Sequence, residues 1–147
     1  MFKKKKFFIT FEGIEGSGKS FQSYKLFKNL QKIKIPTILT REPGGSKSAE
    51  SIRKIILSGK KNKFDIYTDT LLYIAARNEH IKNTIKPAIL KKKIIICDRF
   101  TDSTIAYQVY GRGVNKNLVD LIHKNILGDL KPNLTIILKI KYSKVLE

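Results

Sequence analysis

A chain of 147 residues, 41% of them hydrophobic, has the material for one globular domain around a single core. It has no apolar run near the roughly 18 residues of a membrane helix, the run after Lys3 to Lys6 is too short for a signal peptide, and its lone cysteine, Cys97, permits no internal disulfide and fits core packing in a reducing cytoplasm. The net charge of +18 invites a nucleic-acid reading, but it comes from 25 Lys against 5 Arg, with Lys spread in short runs at 3–6, 60–63 and 91–93. Solvated lysines of that kind imply at most nonspecific nucleic-acid binding.

In chain order, 7–12 reads as a buried β-strand, followed by GIEGSGKS at 13–20. That octet fits GxxxxGK[ST], a loop whose successive backbone N–H groups curl around an anion at the start of a helix. Gly13, Ile14, Glu15, Gly16, Ser17, Gly18, Lys19 and Ser20 are therefore candidates for nucleotide binding, with Lys19 reaching terminal phosphates and Ser20 facing Mg²⁺. The plain alternative is a Gly-rich turn between a strand and a helix. In the helix, Phe21, Tyr24, Phe27, Leu30 and Ile33 recur every three residues, and Pro36 closes the unit before a strand at 37–40.

EPGG at 42–45 predicts a turn, and a helix over 48–57 stops at Gly59. Helical patterns follow at 69–79 and 81–90, the second with Pro87 inside it as a kink or a break. The apolar run at 94–98 ends in a carboxylate, as a central parallel strand does, and a helix at 117–126 precedes a last strand at 134–140. Strands alternating with helices predict an α/β three-layer sandwich, a central parallel sheet with helices on both faces and the ligand site at the carboxyl ends of the strands. The octet at 13–20, the turn at 41–45 and Asp98-Arg99 all belong at that end.

Arginine is scarce here, so Arg41, Arg53, Arg77, Arg99 and Arg112 are expected where a planar fork is needed, at anions or bases. Asp98-Arg99 pairs a carboxylate suited to Mg²⁺ or its waters with a guanidinium suited to phosphate; the alternative is a surface ion pair. Tyr73 and Arg77 lie one helical turn apart, so a ring and a guanidinium share a face, as in a base site, although Tyr73 alone would also serve as core packing.

Taken together, FEGIEGSGKS, TREPGGS, LLYIAAR, DRFTDSTIAYQ, GRG and LGDLKPNLTIIL resemble, in order and spacing, the thymidylate kinases, P-loop enzymes that pass the ATP γ-phosphoryl to dTMP. The resemblance covers nearly the whole chain and implies a P-loop nucleoside monophosphate kinase domain over 1–147, a cytoplasmic transferase of nucleotide biosynthesis and a homodimer. Lys19, Asp98 and Arg99 would be its catalytic residues, with Ser20 and Asp98 serving Mg²⁺. Glu15 would face the 3′-hydroxyl of the deoxyribose, and Arg99, helped by Arg53 and Ser103, would grip the acceptor phosphate. Tyr73 would stack on thymine, Arg77 would bond its edge with Gln108 nearby, and Tyr107 would crowd the ribose C2′.

Gly16 stands where one branch of the family has an Arg, so the chain resembles the bacterial branch, whose arginine comes from a lid. That lid, a last strand and a helix are expected beyond Glu147, since family members continue for about 60 more residues. Asn133 and Lys139 stand where acidic residues are usual. At this level another nucleoside monophosphate kinase, a catalytically impaired nucleotide-binding remnant and a basic protein acting on nucleic acid all remain open.

Overall fold

Four short strands, β1 (Phe7–Glu12), β2 (Thr37–Arg41), β3 (Ile94–Asp98) and β4 (Leu134–Ile137), pair in parallel in the order β2-β3-β1-β4 in a computed structural model that describes residues 7–59 and 63–140. Ile9 sits opposite Ile96 on one side and Leu134 on the other, so β1 and β3 are central and buried through their middles. Alternation then sends side chains to opposite faces. Phe8, Ile95 and Cys97 pack against Ile81, Ile85, Ala88 and Phe100, while Ile9, Phe11 and Ile96 pack against Leu26, Phe27 and Leu30. Helices thus cover both faces, as the strand-helix alternation predicts. Burial pushes the Cys97 thiol well above its usual range, so it is core packing and not a reactive group.

Helix α1 (Lys19–Lys32) packs only part of the every-third-residue row against the sheet. Phe21 and Tyr24 are exposed, and the inward side carries buried Ser23 with partly buried Leu26, Phe27 and Leu30, at i, i+3, i+4 and i+7. A spacing of three in a helix of about 3.6 residues per turn drifts steadily around the cylinder, so the row from Phe21 to Leu30 does not stay on one face. Ser46 caps α2 (Lys47–Leu57), and Asp65 caps α3 (Ile66–His80), which accounts for the start of α3 ahead of residue 69.

Pro87 does not break its helix. A turn of π-helix, Ile81–Ile85, joins α3 to α4 (Lys86–Leu90), and the Lys86 N–H reaches back to Ile81 O, a wider register that accommodates a residue with no N–H to give. One helix escapes sequence reading altogether. Residues Thr101–Thr104 form α5, which runs on as π-helix over Ile105–Tyr110, although Thr, Ile, Tyr and Val favour strands. Its start is held by a distant carboxylate, Glu12 Oε1, which accepts the Phe100 N–H at 2.7 Å. Helix α6 (Lys116–Leu127), capped by Asn115, then leads to β4, whose ladder ends at Ile137, short of the 134–140 expected.

Among the described residues no helix is long and apolar enough to cross a membrane. The lysine runs at 3–6 and 60–62, and the stretch from 141 to Glu147 that would lead towards a lid, lie outside the described residues.

The EPGG turn has little room. Gly45 holds φ +85°, and a Cβ there would lie 2.5 Å from His80 Nε2 and press on Thr40 Oγ1 as well. Both neighbours are buried. Gly45→Ala is therefore expected to cost about 1 to 3 kcal/mol of stability in urea unfolding. A variant as stable as the parent would mean that this turn relaxes freely.

Candidate active site

The carboxyl ends of three strands are joined by backbone bonds: Glu42 N–H to Asp98 O at 3.0 Å and Arg99 N–H to Phe11 O at 2.9 Å. Above them opens a cavity of about 1040 Å³. All five arginines of the chain line it, with Glu15, Glu42, Asp69 and Asp98 interspersed. The scarce cation of this chain is thus gathered at one cavity.

The loop at 13–20 enters α1 through Gly18 at φ +86°, which lets the chain turn into the helix without a side-chain cap. With no capping side chain and no acidic residue in its first turn, the positive end of α1 is left for an external anion. Lys19 is buried and folds over the loop, donating to Ile14 O at 2.6 Å. Burial, and then the Arg99 charge, push its ammonium below the usual lysine range. Glu15 and Gly16 are exposed and face the cavity, whereas Gly13, Ile14 and Ser17 form the back of the loop.

Ser20 Oγ donates to Asp98 Oδ2 at 2.5 Å, bringing together the two residues expected at a metal. Asp98 Oδ1 is buried with no donor among the described residues. A hard cation or its coordinated water fits such an oxygen beside a hydroxyl, so this pair could hold Mg²⁺ between the loop and a bound phosphate chain.

Arg99 adopts φ +71°, which swings its side chain back across the end of β1. Its Nη1 donates to Gly13 O at 3.1 Å, Ser103 Oγ at 3.2 Å and Tyr107 OH at 3.4 Å, and the guanidinium lies 5.3 Å from the Tyr107 ring centre. Ser103 in turn donates to Glu12 Oε2 at 2.7 Å. Glu12 is buried, and that burial raises its pKa against the opposing effect of the Ser103 and Phe100 bonds. Arg53, on α2, donates to Pro43 O at 2.6 Å and also faces the cavity.

Tyr73 and Arg77 share the cavity-facing side of α3, with Gln108 and Tyr107 opposite on the segment that follows α5. Burial, and then Asp69, push the Tyr73 phenol up, so it presents a neutral ring. Arg77 is only 3% exposed and largely committed. Its Nε donates to Glu42 Oε2 at 2.7 Å, Nη1 to Thr104 Oγ1 and His123 Nε2 at 2.8 Å each, and Nη2 to Phe100 O at 2.9 Å. Glu42 Oε1 takes the His80 Nδ1–H at 3.0 Å, and His80 Nε2 meets Thr40 Oγ1 at 2.7 Å.

Sequence reading missed this buried network. Glu42 reads as part of a turn, Thr104 lies in the unforeseen helix, and His123 reads only as one residue of the helix at 117–126. One signal was available: Arg77 and His80 are three apart on α3, so a polar pair shares one face there. Asn133 keeps what its position needs, since its side-chain oxygen accepts the Phe8 N–H at 2.8 Å, and a neutral amide serves there as an acid would. Lys139 is exposed beyond β4, and nothing in the structure explains its charge.

Against known proteins, the thymidylate kinase family model matches residues 11–147. The thymidylate kinase of Dehalococcoides mccartyi (strain CBDB1) is 48% identical over 129 residues, 88% of this chain and 62% of that protein. That of Mycoplasma capricolum subsp. capricolum is 42% identical over 137 residues, 93% of this chain and 64% of that one. Among solved structures, the thymidylate kinase of Ehrlichia chaffeensis superposes with a TM-score of 0.86 at 42% identity, covering 96% of this chain and 80% of that one. The chain spans about three fifths of the length of the curated relatives it matches.

Proposed function

Because the chain belongs to the thymidylate kinase family, we propose that it acts in the ATP-dependent phosphorylation of dTMP to dTDP. The observation that carries this is the shared cavity: the phosphate loop, Tyr73, Arg77 and Gln108 all line it, and Arg99 reaches both Gly13 O of the loop and Tyr107 OH on the segment that carries Gln108. Lys19 and the amides of the loop would receive the ATP phosphates, and Mg²⁺ held by Ser20 and Asp98 would offset charge on their oxygens. Arg99 would hold the dTMP phosphate, with Ser103 and Arg53 in support, and Glu15 would meet the 3′-hydroxyl. Tyr73 and Arg77 would take the thymine ring and its edge. A homodimer in the cytoplasm, with at most nonspecific nucleic-acid binding, completes the reading. Exposed Tyr67 and Leu71 on α3, and Leu118 and Leu121 on α6, support the dimer as apolar surface for a second copy.

A coupled ADP-release assay over dTMP, dUMP, UMP, CMP and GMP tests the substrate. Preference for dTMP is expected, and equal use of several bases would shift the reading to another monophosphate kinase.

Two substitutions test the acceptor side. Arg99→Lys keeps the charge but loses the fork, and should weaken dTMP binding by about 1 to 3 kcal/mol in calorimetry; unchanged affinity would remove Arg99 from the phosphate site. Tyr107→Ala should raise the use of ribonucleotides relative to deoxyribonucleotides, because the Tyr107 side chain, tied to Arg99 at 3.4 Å, would fill the space that a 2′-hydroxyl needs. A constant ratio would place that discrimination elsewhere.

A further inference from the structure

We infer that His123, on α6, is a positioning residue for Arg77, its unprotonated Nε2 helping to fix the guanidinium in the one orientation that leaves an N–H for the ligand. The inference rests on the proposed nucleobase role of Arg77. Arginine has five N–H groups and no acceptor, so at the 2.8 Å contact His123 Nε2 must present a lone pair. The imidazole is then neutral, with its proton on Nδ1. Four of the five N–H groups of Arg77 are engaged, by Glu42 after β2, Phe100 before α5, Thr104 on α5 and His123 on α6. The one remaining sits on Nη2, in a side chain that lines the cavity while staying almost fully buried.

A histidine suits this position for an electrostatic reason. Glu42 already sets a carboxylate against the guanidinium, and it is itself steadied by His80. A second carboxylate would draw further on the cation's field, whereas a neutral nitrogen accepts a hydrogen bond and leaves the charge available to a polar base edge. The charged groups that face His123 are Arg77 on α3, Glu42 in the turn and Asp120 on α6. Burial, and then Arg77, hold its pKa down at about 4, which keeps Nε2 bare at neutral pH.

The test is calorimetry on the full chain with two probes, dTMP and 2-deoxyribose 5-phosphate, which lacks the base. His123→Leu should weaken dTMP on the order of tenfold and leave the base-free probe unchanged. His123→Gln, whose side-chain oxygen reaches where Nε2 was, should recover most of that loss. Equal weakening of both probes, or no recovery with Gln, would overturn the inference. So would unchanged dTMP affinity in His123→Leu while Arg77→Lys binds dTMP weakly. If Arg77→Lys itself binds dTMP as the parent does, the nucleobase reading fails instead. In that event, and if His123→Leu does not fold, long-range ¹⁵N spectra of the unsubstituted chain still decide the contact: a proton on Nδ1 and a bare Nε2 are expected, and a proton on Nε2 overturns it.

Discussion

Glu42→Ala is expected to lower the stability of the chain by about 3 to 5 kcal/mol, the cost of stripping a buried ion pair of one partner. The glutamate is almost fully buried, and both of its oxygens are used, one by Arg77 Nε and the other by His80 Nδ1. Removing it leaves a guanidinium that is 3% exposed facing a second basic side chain across the space the carboxylate held. The remaining partners of Arg77, a hydroxyl, a carbonyl and a neutral ring, carry no countercharge. Glu42→Gln should fall between the two, since an amide oxygen can serve one donor while its NH₂ opposes the other. Urea unfolding midpoints measure both. A loss below about 1 kcal/mol for Glu42→Ala would mean that Arg77 reaches water when the carboxylate is gone.

Acid should destabilise the protein through His123 by about 3 kcal/mol. In the unfolded chain this imidazole titrates near its ordinary value of about 6.5, and in the fold it is pushed down to about 4, mainly by burial and then by Arg77. Above the unfolded value both states are neutral and the contribution is fully present. As the pH falls through the interval, the unfolded chain binds a proton that the folded one refuses, so stability declines until the folded pKa is passed. Other groups respond to acid with both signs: Glu12, raised by burial, favours the fold as acid is added, while Glu50, lowered first by the Gly45 N–H, disfavours it. The readout is therefore the difference between the parent and His123→Gln in unfolding free energy from about pH 7.5 to about pH 4.5. Parallel curves for the two would show that His123 protonates as readily in the fold as out of it.

Legibility followed the range of the interactions. Residues 7–20 declare a strand, a turn and a helix because an apolar run, glycines and a Lys-Ser pair act within a few positions of one another. Asp98-Arg99 is legible at the same range, since a carboxylate at the end of an apolar strand already implies the strand's working end. The arginines stood out because lysine is the default cation here, and in the fold all five line the common cavity. By the same local logic, the resemblance to a kinase family was carried by short segments in order.

What only the tertiary structure decided is how those segments are held. Glu12 caps a helix at Phe100, Asn133 completes the edge at Phe8, and His123 meets Arg77, each across a long stretch of chain. Pattern reading has no access to such pairs, because the residues concerned are polar and isolated and are brought into register by a parallel sheet whose neighbouring strands are distant in sequence. Phe21 and Tyr24 of the three-residue row on α1 stay exposed for a related reason. Spacing names candidate faces, but the face that is buried is chosen by Ile9, Phe11 and Ile96 on the sheet beneath it. The sequence by itself determined the chemistry at the strand ends, where each group acts through its own neighbours. The buried polar network was decided by the fold, because a hydrogen bond out of water depends on partners that only packing supplies.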